Sequence, residues 1–258
     1  MKEFSTKENK ACFRDKIEVM ISCVMLLFLW QIIALKINND IYLPTITQVL
    51  ISMKEIVLSD RFYLDIIFSM SRCILSFISA ILIALILSTL SYISRFIRNL
   101  LKPITVITKS IPTMIVIVLV LIWFDKNSSP FIIGFIIVFP ILYDSILDSI
   151  LNIDKGILEM ANLYNIGLRN KALKIYLPSI KFRIISIIGS TFSLALKVII
   201  AGEVYGQPKY GMGTQIQLEK INFNTSGIFA WIIIIIIISF VLENFQKPSL
   251  RRSLVWKR

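Results

Sequence analysis

The chain has 258 residues, 56% of them hydrophobic and only 17% charged, with a mean hydropathy of +0.78 and 28 Lys and Arg against 16 Asp and Glu; a water-soluble domain of ordinary composition is excluded. The lack of any histidine removes Ser-His-Asp hydrolysis, HExxH metal chemistry and imidazole proton relays together. The net charge of +12 would suggest nucleic acid in a soluble protein, but in a chain built for the bilayer it reports orientation, and no nucleic-acid partner is expected.

Lipid tolerates no open backbone, so the chain must cross as helices of about 20 residues. Six apolar runs approach that length: Ile17–Ile37, Ile74–Ile93, Ile104–Phe124, Pro130–Leu147, Ile184–Ala201 and Ile228–Leu242, the last holding the unbroken isoleucines 232–238. The fold class is all-α, a polytopic membrane protein with six transmembrane helices. The first run leads into Lys36-Ile37-Asn38-Asn39 with no small-x-small cleavage site and reads as a retained signal anchor. Residues 1–16 form a basic tail, 17–246 the transmembrane domain and 247–258 a second basic tail. The three cysteines, Cys12, Cys23 and Cys73, lack metal or disulfide spacing and read as free thiols.

The loops alternate in charge. Nineteen cations fall in the two tails and in the loops after the second and fourth spans, against seven on the opposite side, with Lys109 and Lys197 inside spans. The positive-inside rule then places both termini in the cytoplasm. The external segment 38–73 is expected to carry a short amphipathic helix after Leu43-Pro44, with Val49, Met53, Ile56 and Val57 near one face, lying as a lid on the outer surface. The external loop Gly202–Gly227 reads as turn-rich, around Gly206-Gln207-Pro208 and Tyr210-Gly211-Met212-Gly213.

Small residues recur every four positions in two spans: Ser76, Ala80, Ala84 and Ser88, then Gly189, Ser193, Lys197 and Ala201. Such stripes let helix backbones approach closely where lipid supplies no drive for association. An ammonium at helix-centre depth costs about 2.5–3.5 kcal/mol on insertion scales, so Lys197 should face protein or a wet cavity. Two readings stay open for Lys197, Ser193 and Glu203: an intramembrane ion pair with another helix, or the lining of a solute path. Glu203 lies six residues beyond Lys197 and off its face, and Asp144, after Pro140, reads as structural.

The cytoplasmic loop 148–183 is longer than a bundle connection needs. It predicts a helix over Gly156–Tyr164, a break at Asn165-Ile166-Gly167 and a second helix over Leu168–Tyr176 ended by Pro178, with Leu158, Ala161 and Leu163 offered to a partner.

Glu159-Met160-Ala161, then Asn165, then Leu177-Pro178, with 19 residues from Glu159 to Pro178, resembles the EAA loop of ATP-binding cassette importer permeases. Met160 replaces the family's second Ala, and Asn165 holds its Gly position with Gly167 two residues later; Asn suits a left-handed turn, so the break survives. Further matches resemble the nitrate, sulfonate and taurine class: Leu43-Pro44, Ser69 with Arg72, Lys109-Ser110-Ile111-Pro112, Trp123-Phe124 followed by Asp125 in place of Gly, Ala201-Gly202-Glu203, and Tyr210-Gly211-Met212-Gly213. The resemblance implies a type I importer permease fold, a second permease chain in a homo- or heterodimer, two cytoplasmic ATPase subunits and an extracytoplasmic solute-binding protein, all around membrane lipid. It implies docking by Glu159, Met160 and Ala161, a turn set by Asn165 and Gly167, and a rejoining point at Pro178.

The chain itself carries no nucleotide site. Gly206–Gly211 has the GxxxxG spacing, but Met212-Gly213 follows where Lys-Ser/Thr is required. No cofactor is expected on this chain, ATP belonging to the partner ATPase, and no catalysis. The function expected is a permease subunit passing a small anionic solute such as a sulfonate or nitrate. The alternatives are an ion-coupled secondary transporter using Lys197, Glu203 and Asp144, or a scaffold recruiting a cytoplasmic partner.

Overall fold

The computed structural model describes the backbone of residues 2–254 and, within it, the side chains of residues 17–242; the side chains of the two basic tails, Cys12 among them, lie outside the described residues. Every described element is helical, and the chain forms two compact units.

One unit joins the chain up to Ser59 with Glu219–Ile234. Its first helix, α1 (Lys2–Ile37), carries the apolar stretch Ile17–Ile37 and leaves nearly all of it exposed, as a lipid-facing span requires. From α1 the Trp30 indole N–H donates to the Pro44 carbonyl (3.1 Å), and the Gln31 side chain accepts from the Ile46 amide (3.0 Å). These bonds hold the start of α2 (Ile46–Leu58), where Thr45 and Gln48 form a reciprocal capping box. The expected amphipathic helix is therefore present, but its buried face is Val49, Ser52, Met53 and Ile56, and Val57 points away. Ser52 bonds Ser226 (2.8 Å) near the start of the last helix, α11 (Thr225–Leu254).

The other unit runs from Asp60 to Leu218 and takes up again at Ile235. Its helices are α3 (Phe62–Ile93), α4 (Arg95–Ser110), α5 (Thr113–Trp123), α6 (Ser129–Leu151), α7 (Lys155–Leu163), α8 (Leu168–Lys171), α9 (Leu177–Gly206) and most of α10 (Met212–Ile221). The centre is α6, packed between α3 and α9. The stripe Ser76, Ala80, Ala84 and Ser88 is fully buried here, and a Cβ on Gly134 of α6 would come within 2.6 Å of Ser76 Oγ, so the small residues do set a close helix approach. A cluster of Val116, Ile117, Val120, Ile133 and Val198 fastens α5 to α6 and α9.

Three expectations are corrected. The second span begins at Phe62 rather than Ile74, so residues 62–73 of the supposed external segment are helix, with Asp65, Ser69 and Arg72 buried in it. The third span is not the straight helix Ile104–Phe124: α4 and α5 meet at 106° across Ile111-Pro112. Ile111 is extended (φ −73°, ψ 129°), the conformation that a following proline imposes, and α5 alone covers only about 16 Å of the bilayer. Among the described residues, five helices are thus long and apolar enough to cross, and six spans result if the bent pair counts as one. Finally, the loop Gly202–Gly227 is mostly helix, since α9 runs on to Gly206 and α10 follows.

Candidate functional site: a buried polar clasp and an exposed helical hairpin

Asp65, Ser69 and Arg72 stand at i, i+4 and i+7 on α3 and so share a face, buried to 1%, 0% and 9% exposure. Against them, also fully buried, lies Glu203 of α9. Arg72 Nη1 donates to Glu203 Oε1 (2.7 Å) and to the Tyr210 carbonyl (2.8 Å), and Ser69 Oγ donates to Glu203 Oε2 (2.7 Å).

The remaining acceptor capacity goes to the start of α10. A helix N-terminus leaves its first N–H groups without intrahelical partners, and a buried one must find acceptors elsewhere. Here the Gly211 amide donates to Asp65 Oδ1 (2.9 Å), the Met212 amide to Ser69 Oγ (2.9 Å) and the Gly213 amide to Glu203 Oε2 (3.1 Å). Gln215 closes the set by donating to Asp65 Oδ2 (2.8 Å). Two carboxylates and a hydroxyl from other helices thus cap α10, and its positive end with Arg72 balances the two negative charges. The chain reverses out of α9 through Gln207, a left-handed residue at φ 46°. At Gly213 a side chain would force the backbone apart: a Cβ would strike the Ile200 carbonyl oxygen and lie 2.6 Å from Glu203 Cβ.

The loop between α6 and α9 builds the second feature. Asp154 caps α7 by accepting from the Gly156 amide (2.7 Å). The helix ends in a Schellman motif, with the Asn165 amide donating to the Asn162 carbonyl (3.0 Å) and the Ile166 amide to the Ala161 carbonyl (2.9 Å) around a left-handed Asn165 (φ 50°). Asn165 alone makes the turn. Gly167 has an ordinary φ of −61° with nothing near its Cβ position, so no glycine is needed there.

Ala161 is buried and Leu158 half-buried, so of the three apolar residues expected at the surface only Leu163 is exposed; the exposed apolar residues of the hairpin are Ile157, Met160, Leu163, Tyr164 and Leu168, with Glu159 exposed beside them. Pro178 does not end a helix either. It sits in the first turn of α9, continuous with α8 through a π-helical turn at Ala172–Tyr176. Pro178 has no N–H for the Lys174 carbonyl, and the wider turn immediately before it absorbs that register change.

Lys197, Glu203 and Asp144 form no relay. Asp144 pairs with Lys109 of α4, and Glu203 lies level with Pro130, where a Cβ on neighbouring Gly202 would sit 3.4 Å from Pro130 Cα. Fourteen residues of α6 separate that level from Asp144, about 21 Å. Lys197 is exposed and has no ion-pair partner among the described residues. Its stripe does not repeat the packing of the α3 stripe: Thr191, Ala195, Val198, Ile199 and Gly202 make the buried face of α9, while Ser186, Ser190 and Lys197 share an exposed one.

Residues 65–253 match the binding-protein-dependent transport system inner membrane component family. The chain belongs to that family. It is a multi-pass permease subunit of an ATP-binding cassette importer, a class that works with an ATPase and a substrate-binding protein. A Bacillus subtilis (strain 168) protein described as an aliphatic sulfonates transport permease, SsuC, is 24% identical over 236 residues, covering 90% of this chain and 85% of its own. The fold is shared with a chain of the MetNI methionine ABC transporter in its inward-facing conformations, at 14% identity and a TM-score of 0.65, over 76% of this chain and 99% of that one.

Within the permease, Ser69, Arg72, Glu203 and the Tyr210–Gly213 segment were each recognisable separately, and the structure joins them into one site. Asp65 and Gln215 were missed. The signal available for Asp65 was its spacing, since it extends Ser69 and Arg72 backwards along one helix face in an otherwise apolar stretch. No comparable signal exists for Gln215, whose partner is 150 residues away.

Proposed function

We propose that the permease works as one of two such chains, carrying a small anionic solute inward while two cytoplasmic ATPase subunits supply the energy and an extracytoplasmic binding protein delivers the solute. Both termini and the α7 hairpin lie in the cytoplasm, and the clasp lies on the outer side, as the excess of cations on the tail side supports. The chain binds no nucleotide or cofactor and performs no chemistry. Its role is mechanical.

The observation that carries this reading is the hairpin. A soluble-side helix of nine residues that buries Ala161 yet exposes Ile157, Met160, Leu163 and Tyr164 presents an apolar patch that a monomer would not leave to water. It is the seat of the ATPase, and the Schellman turn at Asn165 and the continuous run from Leu168 through Pro178 into α9 pass its displacement to the spanning helix. Lys197 with Ser190 and Ser193 on α9 lines the solute path, where one ammonium and hydroxyl groups suit a sulfonate or nitrate. The sulfonate description of the Bacillus relative supports that choice of solute. Glu203, held by Arg72, takes no part in the path.

The test is reconstitution with the ATPase and binding protein, following ATP-driven uptake of labelled ethanesulfonate and nitrate. Glu159→Ala and Leu163→Glu should leave membrane insertion intact and abolish uptake, Leu163→Glu also preventing co-purification of the ATPase. Full uptake by both variants, or accumulation without any ATPase, would refute the reading.

A further inference from the structure

We propose that the Arg72–Glu203 clasp stays closed throughout the transport cycle, so that the outer ends of α3 and α9 and the start of α10 move as one rigid body and the outward opening forms elsewhere. Arg72, Glu203, Asp65 and Ser69 are then positioning residues of transport: they touch no solute but fix where α10 stands. The inference rests on the transport reading above.

The clasp has the features of an element that does not exchange partners. Every charged group in it is at least nine-tenths buried, and each makes two or more hydrogen bonds. Parting α3 from α9 would leave a guanidinium and two carboxylates without partners, and parting α10 from both would strand three consecutive amides. A gate that opens in every cycle needs two states of similar energy, and parting these helices would break the hydrogen bonds of Arg72, Glu203, Asp65 and Ser69 together. Gly213 adds a steric reason, since its amide can reach Glu203 only with α10 seated against the α9 backbone. The stacked rings of Phe68 and Tyr210, 5.1 Å apart, with Arg72 over Phe68, cover the same junction.

The chain supplies its own reporter. Cys73 follows Arg72 directly and is completely buried, whereas Cys23 is exposed. With Cys12→Ser and Cys23→Ser, Cys73 is the sole thiol of the permease, and its reaction with N-ethylmaleimide reads opening of the clasp. The complete complex in vesicles, with an ATPase freed of reactive cysteines, is labelled with and without MgATP, and turnover is followed as permease-dependent ATP hydrolysis.

The rate at Cys73 should stay within twofold between resting and cycling complexes and rise at least tenfold in Glu203→Gln, with a smaller rise in Ser69→Ala should the first variant not assemble. A tenfold rise in cycling complexes that carry an intact clasp overturns the inference while leaving the transport reading standing. Hydrolysis indifferent to the permease defeats the transport reading and the inference with it.

Discussion

Two ion pairs tie helices of the same bundle together, Arg72 with Glu203 between α3 and α9, and Lys109 with Asp144 between α4 and α6. Their surroundings differ. The first pair has side-chain exposures of 10% and 0%, with Ser69, Gly213 and Tyr210 filling the remaining bonds; the second is 41% and 36% exposed. The Asp144 carboxylate borders an open polar cavity of about 430 Å³ that also receives Arg98, Lys102 and Asp148. Water in such a cavity screens a pair and replaces a lost partner, whereas a dry site does neither. The first pair therefore holds structure, and the second holds little.

The largest effect should come from Glu203→Ala. Removing one partner of a buried pair leaves the other uncompensated and costs about 3–5 kcal/mol. Here Ser69 and the Gly213 amide lose their acceptor as well. Thermal unfolding of the detergent-solubilised permease should shift down by on the order of 10 °C. A shift no larger than that of an Asp144 variant would remove the distinction between the two pairs.

The same contrast explains what could be read in advance. Hydropathy located the spans, and the family-like segments located Ser69, Arg72 and Glu203, because those signals are local. It also misled at Phe62–Cys73: Asp65 and Arg72 make that stretch look solvent-facing, and only their partners across α9 and α10 let it be buried. The break in the third span had a local cause, Ile111 before Pro112, hidden by the apolar residues on both sides. The two small-residue stripes show the limit most clearly. They share a period, but α3 buries its stripe completely while α9 turns Lys197 outward, and the choice depends on which face the neighbouring helices occupy. Ala161 and Gly167 were misread for a related reason, since a motif gives spacing but not which side of a short helix faces the protein.

Gly213→Ala should fall next. The added methyl meets the Ile200 carbonyl oxygen and lies 2.8 Å from the Val204 amide nitrogen, both backbone of α9 and unable to step aside. Overpacking of this kind costs about 1–3 kcal/mol, and the shift of α10 it forces should stretch the bond from the Gly213 amide to Glu203. The melting shift should lie between those of the Glu203 and Asp144 variants. Cys73 should label faster than in the parent, because the same displacement loosens the cover over α3. An alanine that leaves both readouts unchanged would mean that α10 is not seated on α9 as the clasp requires.

Asp144→Asn should do least. The pair is partly exposed and bordered by other charges, a setting in which ion pairs contribute about 0.2–1 kcal/mol. Salt separates it from the clasp more sharply than size does. Screening shortens the Debye length from about 30 Å at 0.01 M to about 3 Å at 1 M for groups that solvent reaches, and leaves dry pairs nearly untouched. Comparing each variant with its parent across that range, the penalty of Asp144→Asn should fade as salt rises while that of Glu203→Gln persists. If the Asp144 penalty were instead salt-independent and large, Lys109 and Asp144 would be as dry as the clasp in the assembled transporter, and the α4–α6 junction would have to be counted among its rigid parts.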